Sequence, residues 1–284
     1  MGIRSTASST DVEIRTSLHR LHDEALFKDP PAKEDCPICC LPMPTTLICC
    51  ISLPPATILS VPVNDYALAN EELSENATEV YYSCCGKGIC GGCVDSFKKS
   101  GNIGTCPFCK ARTSGKTDEE AVEELTKRVE ANNAGAMCQL GKCYYHGQLR
   151  LSRDREKGIE LYARAGQLGC SMAHNDLGVH FHEGGDLKRA KFHFEAGAMA
   201  GHEGARFNIG TMEFESGKQE RAVKHWIIAA SAGDYGAMYN LQKSFELGFV
   251  GRGVINSTLT DYNTSCTEMR SEARDAYIKM CIEN

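Results

Sequence analysis

The chain has no uninterrupted apolar run of about 18 residues, the length that a membrane-crossing helix requires. Its most apolar stretch, 46–63, is broken by Pro54, Pro55 and Pro62. A basic excess is missing too. The 31 Lys and Arg are outnumbered by 37 Asp and Glu, and the net charge of −6 argues against a nucleic-acid partner, which calls for a positive footprint. The first residues, MGIRSTASST, lack the apolar core of a secretory signal. The expected location is therefore cytoplasmic, with the nucleus as a second compartment. The sequons at Asn76, Asn256 and Asn263 are expected to be ordinary surface residues. Gly2 and Thr6 satisfy the M-G-x-x-x-[ST] acylation pattern, which is too short to carry weight alone. The last absence is local: no histidine occurs between Cys36 and Cys109.

Eleven of the sixteen cysteines fall in that histidine-free window. Without a secretory signal they read as metal ligands rather than disulfide partners, and any zinc site there must be made of thiolates. The pairs are Cys36-x2-Cys39, Cys84-Cys85, Cys90-x2-Cys93 and Cys106-x2-Cys109. A C-x2-C turn holds two thiolates about 3.5–4 Å apart, two corners of a tetrahedron with Zn–S bonds near 2.3 Å. Pro37 and Pro107 stiffen two of the turns. Eight thiolates suffice for two closed sites, so two Zn2+ are expected, structural rather than catalytic. Metal binding would then supply folding energy that so small a core lacks. Lys87 is expected to be a solvated loop residue, since an ammonium cannot ligate.

Residues 1–34 are polar and expected to be flexible, apart from a short helix around Val12 to Leu26. Thr117 and Glu120 form a capping box ahead of Val122, Leu125 and Val129 at helical spacing. From there the sequence repeats itself. AMCQLGKCYYHG, AHNDLGVHFHEG, ARFNIGTMEFESG and AMYNLQKSFELG start at Ala136, Ala173, Ala205 and Ala237, separated by 37, 32 and 32 residues. Gly141, Gly178 and Gly210 share a second place, taken by Gln242 in the last unit. Tyr162, Phe194 and Trp226 recur 32 apart, as do Gly169, Gly201 and Gly233. Small residues that let two helices approach, with aromatics between them and glycine stops, describe a helical hairpin. One hairpin cannot bury its apolar face alone, so such units stack into a solenoid. A capping helix is expected from Thr258 to Cys281, with Leu259, Tyr262, Cys266, Met269, Ala273 and Tyr277 on one face. The dispersed histidines, His174, His180 and His182 among them, are expected to pack or face solvent rather than bind metal.

The repeating unit resembles the Sel-1-like repeat, a relative of the tetratricopeptide repeat, over about residues 117–250. That resemblance implies a scaffold that grips other proteins and has no chemistry of its own. The cysteine window resembles the RING finger of ubiquitin ligases. In that family the first and third pairs bind one zinc and the second and fourth the other. This implies one site of Cys36, Cys39, Cys90 and Cys93 and another of Cys84, Cys85, Cys106 and Cys109. It also implies that a ubiquitin-conjugating enzyme docks on Ile38 and Pro107, with Lys110 in the place of the basic residue that steadies the activated ubiquitin. The segment YYSCCGKGICGGCVDSFKKSGNIGTCPFCK, joined to such repeats, is similar to an arrangement found among algal, particularly diatom, proteins.

Two features depart from the family pattern. Ligands three and four are adjacent, and neighbouring side chains on an extended strand point opposite ways; Cys84 and Cys85 can share a zinc only across a bend, which Gly86 would allow. The first loop is also long, 44 residues from Cys39 to Cys84, so Cys49 or Cys50 is a rival third ligand. The expected architecture is thus mainly α. A cross-brace domain at 35–113 carries a long first-loop insertion, a solenoid of Sel-1-like hairpins follows at 117–250, and a capping helix closes it at 251–284. Its function is expected to be ubiquitin transfer by proximity to a substrate held on the repeats; the other reading is a non-enzymatic adaptor.

Overall fold

The computed structural model describes residues 9–31 and 79–268, with short pieces at 271–273 and 276. The expectations for Gly2, Cys36, Ile38, Cys39, Cys49, Cys50 and most of the insertion lie outside the described residues. Helix α1 spans Ser9–Leu26, and strands β1 (Glu79–Tyr82) and β2 (Lys87–Cys90) form a hairpin leading into α2 (Gly91–Lys99). The remainder is helical: α3 (Asp118–Glu130), α4 (Ala134–His146), α5 (Arg155–Gln167), α6 (Ser171–Glu183), α7 (Leu187–Met199), α8 (Glu203–Glu215), α9 (Gln219–Ser231), α10 (Tyr235–Glu246) and α11 (Arg252–Glu268).

Local chemistry sets where these helices start. The Thr117 hydroxyl accepts from the Glu120 N–H while the Glu120 carboxylate accepts from the Thr117 N–H, the capping box expected from the sequence. Asn133, Asp154, Asp186, His202 and Asp234 each cap the helix that follows by accepting from the backbone N–H three residues on. Each such cap is worth about 1 kcal/mol.

Pairs α4–α5, α6–α7 and α8–α9 are the repeated hairpins. In each, the phased glycine of the first helix lies under the phased aromatic of the second. A Cβ on Gly141 would stand 3.1 Å from the Tyr162 ring, one on Gly178 2.4 Å from the Phe194 ring, and one on Gly210 2.7 Å from Trp226 Nε1. The repeat is therefore a packing rule: a larger residue at the glycine would push the helices apart. Successive apolar cores run from Leu125 and Leu140 through Phe194 and Ile209 to Trp226 and Leu241. Helix α11 starts at Arg252, six residues ahead of the expected Thr258. It lays Ile255, Leu259, Tyr262 and Cys266 on the last cluster.

The N-terminal segment, read from its polarity as flexible, is anchored at its end. Leu26 is fully buried among Ala190, Phe194, Ala198, Ala205 and Ile209. Among the described residues no helix is long and apolar enough to cross a membrane.

Candidate metal centre

The β1–β2 hairpin pairs Tyr82 with Lys87 and Val80 with Ile89. Between the strands, residues 83–86 close a tight turn. The N–H groups of Cys85 and Gly86 both donate to the Tyr82 carbonyl, at 3.2 and 2.8 Å, and Gly86 adopts φ +71, a left-handed conformation that glycine enters without strain. This is the bend that adjacent ligands require. Cys84 and Cys85 stand at a hairpin tip instead of on opposite faces of a strand. Lys87, expected in the loop, opens β2; it is exposed, and its ammonium sits 4.9 Å from the centre of the Phe108 ring.

Facing the hairpin is the turn Cys106–Cys109. It is held by the Cys106 N–H to Ala111 carbonyl bond of 2.8 Å and the Lys110 N–H to Cys106 carbonyl bond of 3.1 Å. The Sγ atoms of Cys84, Cys85, Cys106 and Cys109 all lie within 4.8 Å of one another. Cys85 and Cys106 are 3.6 Å apart, Cys84 and Cys109 3.5 Å. Two sulfurs bound tetrahedrally to one zinc stand about 3.8 Å apart, so the spacing fits a four-thiolate site.

The electrostatics fit a cation as well. Burial raises the Cys84 thiol, and sharing hydrogen bonds with Cys109 and Cys106 raises it further. Cys85 is raised by burial and by its contact with Cys106. At Cys106 burial pulls upward too, but the backbone N–H groups of Cys109 and Phe108 outweigh it and bring the thiol down to about 7. Four thiolates this close cannot all ionise against their mutual repulsion unless a positive charge sits among them. This four-cysteine group could hold a metal ion, and a closed four-sulfur set leaves no position for substrate or water.

The other candidate residues lie as follows. Cys90 ends β2 and stands at the N-cap of α2, with Cys93 in the first turn; both are buried and neither joins the group of four. Pro107 lies inside the Cys106–Cys109 turn and is half-buried. Lys110 is exposed with φ +60, and its ammonium lies 5.4 Å from the centre of the Phe97 ring. Histidine contacts in the repeats include His180 Nδ1, 3.1 Å from the Tyr145 hydroxyl, and His174 Nδ1, 3.2 Å from His193 Nδ1.

Sequence reasoning missed the residues that fasten the finger to the first solenoid helix. Arg128 on α3 donates from Nε to the Ser83 carbonyl and from Nη2 to the Cys84 carbonyl. The Ser83 hydroxyl donates to Glu124, which also takes a 2.7 Å bond from Lys116, and the Tyr81 hydroxyl donates to Asn133 Oδ1. The partners that join finger to helix are 41 to 52 residues apart on the chain, mostly ordinary polar side chains on a helix, so no local signal marks them.

The Sel1 repeat model matches residues 134–170, 171–202 and 205–234. The three hairpins within residues 134–234 thus match Sel1 repeats, and a repeat solenoid suggests protein partners. No curated protein matches the chain. Among solved structures, it is similar to a Sel1 repeat protein from Oxalobacter formigenes, with 20% identity, 68% of this chain and 86% of that one covered, and a TM-score of 0.47. It is also similar to c5321, a protective antigen of uropathogenic Escherichia coli with an SLR fold. There the identity is 20%, 66% of this chain is covered, and the TM-score is 0.44; the match spans only 42% of that protein's length. A third likeness is to the immunity protein Pa5087 from Pseudomonas aeruginosa, at 16% identity, with 68% and 81% covered and a TM-score of 0.40.

Proposed function

We propose that the chain is a RING-type ubiquitin ligase that holds a ubiquitin-conjugating enzyme on a two-zinc finger and a protein substrate on its Sel1 repeats. The observation that carries this reading is the order of the ligands. Cys84 and Cys85 meet Cys106 and Cys109 across the intervening pair, Cys90 and Cys93. Consecutive pairs sharing a metal would give two separate beads; an interleaved order gives a cross-brace, leaving Cys90 and Cys93 to complete a second site with Cys36 and Cys39. Zinc would be structural in both. Ile38 and Pro107 would receive the conjugating enzyme, and Lys110 would steady the activated ubiquitin. Catalysis would come from proximity and orientation, which let a substrate lysine attack the thioester without a catalytic side chain here. The cytoplasm, or the nucleus, is the compartment this activity requires.

Purified chain, ubiquitin, activating enzyme and a panel of conjugating enzymes test it. Ubiquitin chains should form with at least one conjugating enzyme and fall sharply with Ile38→Ala. No chains with any of the panel would sink the reading. A specific observation favours a second one, the non-enzymatic adaptor. Lys110 stands in the place of the family's basic residue, and its ammonium lies over Phe97; a point charge engaged there lacks the planar fork of arginine.

A further inference from the structure

The face of α7, α8 and α9 that receives residues 22–31 is built like a binding site for a short peptide. Leu26 fills an apolar socket and is fully buried, whereas Leu21, on a different face of α1, is 56% exposed. Arg206, itself buried, donates from Nη1 to the Leu26 carbonyl and from Nη2 to the Ala198 carbonyl, both at 2.7 Å. A guanidinium placed on a helix C-terminus satisfies carbonyls that have no partner inside the helix. Arg221 Nη1 lies 2.7 Å from Asp23 Oδ1. The Phe27 ring packs 4.6 Å from the His225 ring and under the Arg221 and Lys224 side chains, at 5.2 and 5.5 Å. His22 Nε2 stands 3.3 Å from Glu195 Oε2. Pro31 packs against Gly201 so closely that a Cβ there would be 2.9 Å from Pro31 Cγ.

Charged groups surround the apolar socket. Glu213, buried between Lys191, Lys218 and Arg221, fixes the basic groups around it at 2.6, 3.3 and 3.5 Å. Among the described residues, neither nitrogen of buried His225 has a hydrogen-bond partner. Such a site recognises a pattern: a carboxylate three residues before a leucine, the leucine at a helix C-terminus with its carbonyl free, and an aromatic ring next.

We infer that this face is the solenoid's partner-binding site, that it takes a short segment with an acidic residue three places ahead of a leucine–aromatic pair, and that residues 22–31 occupy it as a built-in competitor. The inference rests on the reading of the repeats as a protein-binding scaffold. An incoming segment has to displace a tethered one, whose effective concentration is of millimolar order for short flexible tethers and lower for longer ones. Binding is therefore gated by release of α1.

The test uses the full chain and a fluorescent peptide of residues 16–31. The wild-type chain should bind it at least tenfold more weakly than a Leu26→Asp chain, in which a carboxylate cannot sit in the apolar socket. An Asp23→Lys chain, repelled by Arg221, should gain binding in the same way, and it leaves the socket residues untouched should Leu26→Asp misfold. Adding Arg221→Glu to the Leu26→Asp chain should cut affinity at least tenfold, and a peptide carrying Asp23→Lys should recover it; in the Asp23→Lys chain the same change restores the intramolecular pair and should close the face again to both peptides. Equal affinity for wild-type and opened chains, including none for either, overturns the inference, as does indifference to Arg221→Glu. Neither outcome touches ubiquitin transfer by the finger, which the reconstituted reaction reads separately.

Discussion

Arg128 donates a 2.6 Å hydrogen bond to the carbonyl oxygen of Cys84, so a solenoid helix holds the backbone of a candidate metal ligand. Its Nε reaches the preceding carbonyl, Ser83, at 3.0 Å, and the fork grips the carbonyls of two consecutive peptide units. Hydrogen bonds from charged groups contribute about 1.5–3 kcal/mol each when partly buried. Arg128→Ala, which loses both bonds, is expected to destabilise the chain by about 3 kcal/mol and to speed zinc release to a chromogenic chelator. Arg128→Lys should rescue neither, because one ammonium cannot reproduce the two-pronged geometry. Unchanged release in both variants would show that the finger is held without this clamp.

Metal content separates the rival third ligands. With the cross-brace proposed above, the purified chain should carry about two zincs. Cys84→Ser removes one of four sulfurs that lie within 4.8 Å of one another and should lower the content to about one. Cys49→Ser should change nothing. The reverse pattern would move the third ligand into the insertion. Chelation should unfold the finger while leaving the solenoid helices largely intact by circular dichroism, because apolar side chains pack their cores.

Acid should loosen the solenoid through His225. Burial, reinforced by the charges of Arg206 and Arg221, pushes its imidazole down to about 3. The unfolded chain, near 6.5, therefore takes up the proton first. Stability from keeping the ring neutral is complete above pH 6.5 and is lost as pH falls toward 3, by about 1.4 kcal/mol at pH 5.5. His193, pushed down to about 4 by burial, His174 and Arg189, adds to the same slope. In His225→Phe the two unpartnered ring nitrogens disappear while a ring remains against Phe27. That variant should be more stable at pH 7 by about 1 kcal/mol and should lose less melting temperature between pH 7.5 and 5.5. An unchanged slope would clear His225 of the effect.

These residues also mark what a sequence can and cannot reveal. The hairpin repeat was legible because glycine and aromatic are coupled within each unit, as Gly178 and Phe194 are, and the coupling recurs in phase. The need for a bend at Cys84–Cys85 was legible from chain geometry alone, and Gly86 supplies it. The cysteine spacing pointed to thiolate sites, and one four-cysteine group is gathered among the described residues. What could not be read were the contacts between distant segments. Leu26 to Arg206 spans 180 residues, and Ser83 to Arg128 spans 45. Each depends on one or two side chains with no periodicity, so a polar N-terminus looked flexible while its last turn carried an anchor.

Gly178 offers the sharpest test of the repeat packing. Two effects oppose each other in Gly178→Ala. Alanine favours a helix interior by about 1 kcal/mol over glycine. Its Cβ, however, would stand 2.4 Å from Phe194 Cδ1, closer than atoms can approach, and the ring is buried between two helices with little room to move. Overpacking of this kind costs about 1–3 kcal/mol, so a net loss of about 1–2 kcal/mol is expected. Gly253→Ala, on α11 with nothing among the described residues within 4 Å of the new Cβ, should be neutral or slightly stabilising. Trimming the opposing ring in Gly178→Ala/Phe194→Leu should recover part of the loss, a coupling that a double-mutant cycle in urea reads directly. Additive losses would mean that the helices of this hairpin are not held apart by glycine and aromatic together.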